Sequence, residues 1–416
     1  MKILSVSFSD IRGGAARAAY RLHRGLCLTG VDSLMLVQQK DSDDQRVVSP
    51  STRTGKGFAI LGPELDRLPA SLYPNRVYGN WSVNWLPNGT VAKINSLKPD
   101  LCHLNWVGNG MLPMAQIQGI KCPVVWTFHD MWPFTGGCHY DNDCGRYMTQ
   151  CSKCPQLKSW WDYDISRWGW GTKKRAWQRK SYTVITPSRW MAGVARSSAI
   201  LHGARIETIP YGIDTGIFKP VDKDAARRIL NLPLGKKIIL FGAFSPGSDK
   251  RKGAVHLCQA LNCLKEQMPS EDLTVAIFGH QGGDSLAGSA FPVIPTGYLH
   301  DEQTLTLLYS AADLQVVPSL QDNLPNTVLE SMACGTPVVA FNIGGMPDMI
   351  DHKMNGYLAE PFVPSGLADG IKWTLHHKAG LGSTAREKIM SEFTTELSVK
   401  NHMNIYRQLI EADASC

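Results

Sequence analysis

Three consecutive cations, Lys250-Arg251-Lys252, stand before Gly253 and soon after the apolar run Lys237–Gly242. At the carboxyl end of a strand, such a group can neutralise a diphosphate, including the charge that grows on it as a leaving group. The run Pro318–Pro337 offers a second anion site. It reads as the end of a strand, a loop holding Asp322, Asn323 and Pro325, and a helix closed by Gly335. The first N–H groups of that helix, around Leu324, Asn326 and Thr327, can hold an anion without a side-chain cation. Glu330 lies within the first two turns, where a carboxylate can accept hydrogen bonds from ribose hydroxyls. A third candidate, Arg12-Gly13-Gly14-Ala15, follows the first apolar run. Adjacent glycines admit a ligand close to the backbone. The spacing is not G-x-G-x-x-G, which argues against a nicotinamide dinucleotide. Each segment also has a plain structural reading: a solvated basic turn, a capped strand-turn-helix, and a tight strand-helix connection.

Cys138, Cys144, Cys151 and Cys154 crowd one short segment, and the last two have C-x-x-C spacing. Four thiolates so placed suit a structural zinc site. Reduced buried thiols are the next reading, and a disulfide pair the last. His139, beside Cys138, reads as an ordinary polar loop residue. Trp160, Trp161, Tyr163, Trp168, Trp170 and Trp177 share a stretch with Lys173, Lys174, Arg175, Arg179 and Lys180. Aromatics beside cations suit a membrane interface, a lipid-linked acceptor or carbohydrate stacking. Packing of the tryptophans into a core is the favoured alternative. His103, Cys102 and Cys122 sit in or beside strands and read as structural.

These residues need elements to hold them. Apolar runs suited to strands are Lys2–Phe8, Ser33–Gln38, Leu101–Trp106, Val124–Phe128 and Thr183–Thr186, then Lys237–Gly242, Leu273–Gly279, Leu314–Pro318 and Pro337–Phe341. Helix-like stretches alternate with them, which predicts parallel sheets. Residues 41–90, with several Gly, Pro and Ser, read as irregular. The phrase Ile209-Pro210-Tyr211-Gly212-Ile213-Asp214 marks a turn or hinge. The fold class expected is α/β, with two doubly wound domains facing across a cleft: 1–211, and 212–394 with a helix from about 395 to 416 returning to the first. A chain of 416 residues with 43% hydrophobic content suits two cores. A charged content of 19% argues against long disordered tracts, and the net charge of +7 favours anionic partners. No nucleic-acid motif is present. No signal peptide or membrane-spanning run is read, so the expected place is the cytoplasm, with room for peripheral contact with the inner face of the membrane.

In this order the motifs resemble the family 4 glycosyltransferases, retaining enzymes of GT-B architecture, over nearly the whole chain. The family's two Glu residues separated by seven others correspond to Asp322 and Glu330. Its Glu-led helix corresponds to Glu330–Val339, its hinge phrase to Ile209–Asp214, its Lys-Gly phosphate motif to Lys252-Gly253, and its glycine loop to Gly13-Gly14. Thr127-Phe128-His129-Asp130-Met131-Trp132-Pro133-Phe134-Thr135-Gly136 resembles a subgroup from exopolysaccharide clusters, such as colanic-acid-type transferases.

The resemblance implies a nucleotide-sugar donor and a saccharide or lipid-linked saccharide acceptor, with no cofactor for the chemistry. Glu330 would hold the ribose, and Lys252 with Arg251 the diphosphate, near Gly13 and Gly14. Asp322 and Asn323 would face the transferred sugar, aided by the backbone of Leu324, Pro325 and Asn326. His129 would touch the reacting face, and Tyr298 and Leu299 the base. The implied transfer is front-face, with the leaving phosphate deprotonating the acceptor. No metal is expected on the diphosphate. Two departures stand out. The family's Arg after the strand is replaced within Gly242-Ala243-Phe244, and Asp322 is one methylene shorter than Glu. They keep open a degenerate GT-B protein that binds sugar or a partner without turnover. A nucleotide-sugar 2-epimerase is a further reading, against which Lys252-Gly253 and the Glu330 helix speak.

Overall fold

The computed structural model describes residues 1–77, 81–180, 182–242, 249–268, 273–279, 283–299, 301–377 and 380–415. The chain divides into two compact units, Met1–Pro210 with Ser398–Cys416, and Tyr211–Leu397.

In chain order the first unit holds β1 (Lys2–Ser9), α1 (Gly14–Leu28), β2 (Asp32–Gln39), β3 (Val47–Val48), α2 (Arg53–Ser71), α3 (Thr90–Ser96), β4 (Leu101–Leu104), β5 (Val124–Thr127), α4 (Ile165–Arg179), β6 (Thr183–Thr186), α5 (Arg189–Arg196) and β7 (Arg205–Thr208). The strands form one parallel sheet, β3-β2-β1-β4-β5-β6-β7, in which Ile3 pairs with Ser33 on one side and Leu101 on the other. Its interior strands are apolar on both faces because both faces are covered. Leu4, Val6, Leu104, Trp126 and Val184 enter one core. Ile3, Leu101, Val125 and Ile185 enter another, with Met403 and Tyr406 from the chain's last helix.

Residues 41–90 are not irregular throughout. Arg53–Ser71 is a helix of 19 residues, capped by Thr52 Oγ1, which accepts from Gly55 N at 3.1 Å. It tolerates two internal prolines. Pro69 lacks the N–H that would serve the Leu65 carbonyl, and Trp85 Nε1 donates to that carbonyl instead, at 3.1 Å. The helix buries Ala59, Gly62, Pro63, Asp66 and Ala70. Asp66 fixes the next segment by accepting from Val83 N and Asn84 N at 3.1 and 2.5 Å.

The second unit holds α6 (Lys223–Ile229), β8 (Lys237–Gly242), α7 (Ala254–Lys265), β9 (Leu273–Phe278), β10 (Val293–Gly297), α8 (Glu302–Ala311), β11 (Leu314–Val317), α9 (Asn326–Ala333), β12 (Val338–Phe341), α10 (Met346–Met349), β13 (Gly356–Ala359), α11 (Pro364–His376) and α12 (Leu381–Glu392). Its parallel sheet runs β10-β9-β8-β11-β12-β13. The last helix, α13 (Thr395–Ala414), starts in this unit and continues in the first. Chain order reverses between β1 and β4 in one sheet and between β8 and β11 in the other. In doubly wound folds that reversal, at the carboxyl ends of the strands, is where ligands bind.

Candidate active site

The candidate residues form one group in each unit. In Tyr211–Leu397 the ends of β8 and β11 lie side by side. Ala243 and Phe244 lie outside the described residues. From Asp249 the chain makes a tight turn over Lys250–Lys252. The Asp249 carboxylate accepts from Arg251 N at 3.1 Å and Arg251 Nη2 at 2.9 Å. Gly253 follows with φ of 73°, and a Cβ there would lie 1.8 Å from the Pro318 carbonyl oxygen. Only glycine lets the start of α7 press so closely on the end of β11.

That contact brings Lys252 Nζ to 2.6 Å from Asp322 Oδ2, with Arg251 Nη1 at 3.4 Å from the same oxygen. Ser319 Oγ donates to it at 3.2 Å. From the other side Gly344, with φ of 54°, packs where a Cβ would sit 1.9 Å from the Asp322 carbonyl oxygen. Gly345 N donates to that oxygen at 3.2 Å. Burial opposes a charge on Asp322, yet Lys252 and then Arg251, with the hydrogen bonds from Lys252 and Ser319, hold its carboxyl below the usual range. Burial, followed by Arg251, lowers the Lys252 ammonium, and Asp322 opposes that fall. The residues expected for diphosphate and for sugar are therefore paired with each other. The sequence reading missed Asp249, Ser319 and Gly344. A glycine directly before another glycine, Gly344-Gly345, was the available signal for the last.

The loop from Asp322 leads into α9, which starts at Asn326 after Pro325. Asn323 and Leu324 are buried. Glu330 is buried at 3%, and Tyr309 Oη donates to its Oε2 at 2.8 Å. Tyr309, on α8, was also missed. Tyr298 and Leu299 follow β10 directly and are half-buried, and Leu299 packs on the core that holds Tyr309 and Leu329.

In the first unit, Gly13 stands before α1 with φ of 93°, a left-handed value that glycine adopts without strain. Gly14 opens the helix. His129 follows β5 and is buried. Its Nε2 lies 3.1 Å from Asn105 Oδ1, while the Asn105 amide donates to Ser5 Oγ at 3.0 Å and to the His103 carbonyl at 3.3 Å. With the amide so engaged, its oxygen accepts from Nε2–H, and Nδ1 is the acceptor nitrogen of the ring. Burial pulls the His129 pKa down to about 4, against the pull of Asp130. Asp130 Oδ2 accepts from His139 Nδ1 at 2.6 Å and Trp106 Nε1 at 2.8 Å. His139 is thus no ordinary loop residue. It is buried, 3.0 Å from Ser82 Oγ through Nε2, and stacked on Trp106.

The cysteine loop follows. Cys138, Cys144, Cys151 and Cys154 are free thiols that line one small cavity with Trp81 and Arg146. Among the described residues, no three Cys, His, Asp or Glu side chains are arranged to hold a metal ion. Burial pushes the Cys151 thiol up to about 12 and that of Cys154 up to about 11. Lys173, buried at 1%, donates to the carbonyls of Trp132 and Thr135 and stands 3.9 Å over the Trp132 ring. The expectation of core packing for the aromatic stretch holds only in part. Trp170 and Trp177 are buried, whereas Trp160, Trp161, Tyr163 and Trp168 are exposed.

Residues 12–216 match the model of Glycosyltransferase Family 4, and residues 235–377 match Glycosyl transferases group 1. The chain is 30% identical over 236 residues to D-inositol 3-phosphate glycosyltransferase 2 of Catenulispora acidiphila, covering 51% of this chain and 53% of that protein. It is 30% identical over 233 residues to D-inositol 3-phosphate glycosyltransferase of Mycobacterium bovis, covering 52% and 47%. The chain spans about half the length of these curated relatives. Among solved structures it is similar to sucrose-phosphate synthase of Thermosynechococcus elongatus, with TM-score 0.70, 20% identity, and 99% and 100% of the two chains covered. It is also similar to Anabaena HepE in complex with UDP and glucose, with TM-score 0.66, 18% identity, and 98% and 100% covered. The fold is that of the GT-B glycosyltransferases. This chain carries a family 4 glycosyltransferase domain followed by a group 1 domain.

Proposed function

We propose that this protein is a retaining glycosyltransferase that moves a sugar from a nucleoside-diphosphate sugar to a saccharide or lipid-linked saccharide acceptor of polysaccharide or glycolipid assembly. The observation that carries this reading is the group Arg251, Lys252 and Asp322 at the order reversal of a parallel sheet. Two cations held by one carboxylate form a preset cradle for a diphosphate. An arriving donor takes over the cations, and Asp322 turns to the hydroxyls of the sugar. Glu330, oriented by Tyr309, takes the ribose. Anabaena HepE, with its bound UDP and glucose, supports UDP as the first nucleotide to try.

In the proposed reaction the bond between the anomeric carbon and the phosphate oxygen breaks. A bond to the acceptor oxygen forms on the same face, and the acceptor proton passes to the leaving phosphate. Lys252 and Arg251 stabilise the charge on that phosphate. Neutral His129, fixed through Asn105, presents Nδ1 to a hydroxyl. The chemistry needs no cofactor.

Thermal unfolding in the presence of nucleoside diphosphates and nucleotide sugars tests the donor half. A ligand at 100 times its dissociation constant adds roughly 2.7 kcal/mol and raises the midpoint clearly. A shift with one base and one sugar names the donor, and Glu330→Gln should reduce that shift strongly. If no member moves the midpoint, or if Glu330→Gln responds like the parent, the donor assignment fails. Donor binding without turnover over a broad acceptor set would favour a binding protein over an enzyme.

A further inference from the structure

Helix α2 shows a second apolar face. Leu61, Leu65, Leu68 and Leu72 are exposed at 59, 37, 53 and 77%. Their spacing of four, three and four residues lines them up in one stripe. The buried positions Ala59, Gly62, Pro63, Asp66 and Ala70 lie on the opposite side, so the stripe points away from the unit it belongs to. The stripe also has neighbours. The Val77 N–H donates to the Gln156 carbonyl at 2.7 Å, and the Ile165 N–H donates to Tyr73 Oη at 3.2 Å. These bonds tie the end of α2 to the segment that carries Trp160, Trp161, Tyr163 and Trp168, of which Trp160 is 86% exposed. Of the twenty exposed large hydrophobic side chains among the described residues, eleven lie within 60–85 and 160–168. Such concentration marks an interaction surface and not scattered surface apolarity.

Charge selects the occupant. Arg53, Lys56 and Arg67 run along one edge of the stripe by their helical spacing, and Lys158, Lys174 and Arg175 accompany the aromatics. The solvent-exposed carboxylates on these two segments, Glu64 and Asp162, each face a cation. Glu64 lies 2.8 Å from Arg67, and Asp162 lies 3.3 Å from Lys153. A second copy would bring like-charged edges together, which disfavours self-association. Leucines flanked by Lys and Arg, with Trp and Tyr beside them, fit a bilayer interface, where cations meet lipid phosphates and aromatic rings sit at headgroup level. No described helix is long and apolar enough to cross a membrane.

We propose that the α2 stripe and the 160–168 aromatic segment form a docking face for an anionic lipid surface. This inference does not depend on the transfer reaction. It would set the chain down on the surface where a lipid-linked acceptor resides.

Co-sedimentation of the full chain with vesicles of phosphatidylcholine and phosphatidylglycerol in equal parts, against phosphatidylcholine alone, tests it. The protein should pellet with the anionic vesicles and less so at high salt. The combined variant Leu61→Gln, Leu65→Gln, Leu68→Gln, Leu72→Gln should bind about tenfold more weakly or worse. Trp160→Ser with Trp161→Ser, on a connecting segment, provides a second variant if the first fails to fold. Failure of the parent to bind anionic vesicles, or equal binding by a folded variant of either kind, overturns the proposal. Dimerisation lost in the variants, without vesicle binding by the parent, assigns the face to a second copy and overturns it too. A nucleotide-induced thermal shift retained in these variants keeps the donor site standing whatever the vesicles do.

Discussion

Asp322 Oδ2 lies 2.6 Å from Lys252 Nζ and 3.4 Å from Arg251 Nη1, so an incoming diphosphate competes with it for both cations. Asp322→Asn keeps the shape and removes that competitor. We expect nucleoside diphosphate affinity to rise severalfold while turnover falls about tenfold or more. Titration calorimetry and initial rates separate the two effects, and a fall in both would mean that Asp322 serves only to position Lys252. Lys252→Ala should instead weaken diphosphate binding by about tenfold or more. His129→Ala should lower kcat on the order of 10² with donor affinity unchanged. Unchanged kcat would take His129 out of the chemistry. Each of these residues can be read from its local sequence, because a cation triplet, a polar loop leading into a helix and a His after a strand are short-range signals. Their pairing cannot. It depends on Gly253 passing Pro318 and on Gly344 passing Asp322, close approaches between segments far apart in the chain. Tyr309 and Asn105 were equally hidden, since a tyrosine on a helix and an asparagine after a strand carry no pattern of their own.

At the scale of elements, the strands read from apolar runs are the interior strands of both sheets. The strands left unread, β3, β7, β10 and β13, are the four sheet edges. An edge strand is short and partly solvated, so it needs no apolar run. Arg205-Ile206-Glu207-Thr208 and Gly356-Tyr357-Leu358-Ala359 illustrate this. Helix α2 escaped for a different reason. Pro63 and Pro69 read as breakers, and its outward leucines mimic no amphipathic pattern of a single buried face. The cysteine loop belongs to this scale as well. Gly136 and Gly169 let α4 pack onto that loop, since a Cβ on Gly169 would lie 2.2 Å from the Gly136 carbonyl oxygen. The thiols share a cavity without forming a ligand set among the described residues, so holding an ion requires them to move closer together. A zinc bound by four thiolates carries a net negative charge, and the buried Lys173 and the cavity-lining Arg146 would offset it. Protein purified without chelator is expected to carry about one zinc per chain by metal analysis. No zinc, with all four thiols titratable, would leave the loop held by packing alone.

At the scale of the whole molecule, the two units differ in how they hold protons. His23, His129 and His402 are each pulled down to about 4 by burial, and His103 well below its usual value by the same cause. All four belong to the unit formed by Met1–Pro210 and Ser398–Cys416. Below about pH 6.5 the unfolded chain binds protons that these folded rings refuse, so stability falls as pH drops through the window from about 6.5 to about 4. Asp66 acts in the opposite sense. Pushed up to about 6 by burial, it takes a proton in the folded state first and offsets part of the loss. In Tyr211–Leu397 the buried carboxylates Asp313 and Asp322 are held below the usual range despite burial, by Lys223 and Lys252 as the foremost cations. They contribute stability that is lost only as pH falls below about 4. Among the described residues of that unit, His352 is a shifted histidine, and it is exposed and lowered by burial and then by Lys353. Acidification from pH 7 to pH 4.5 should therefore weaken the first unit before the second. Calorimetry across that range should show one transition moving to lower temperature ahead of the other, and His103→Gln with His402→Gln should narrow the gap. Two transitions that move together, or a second unit that melts first, would mean that the buried histidines do not set the acid response.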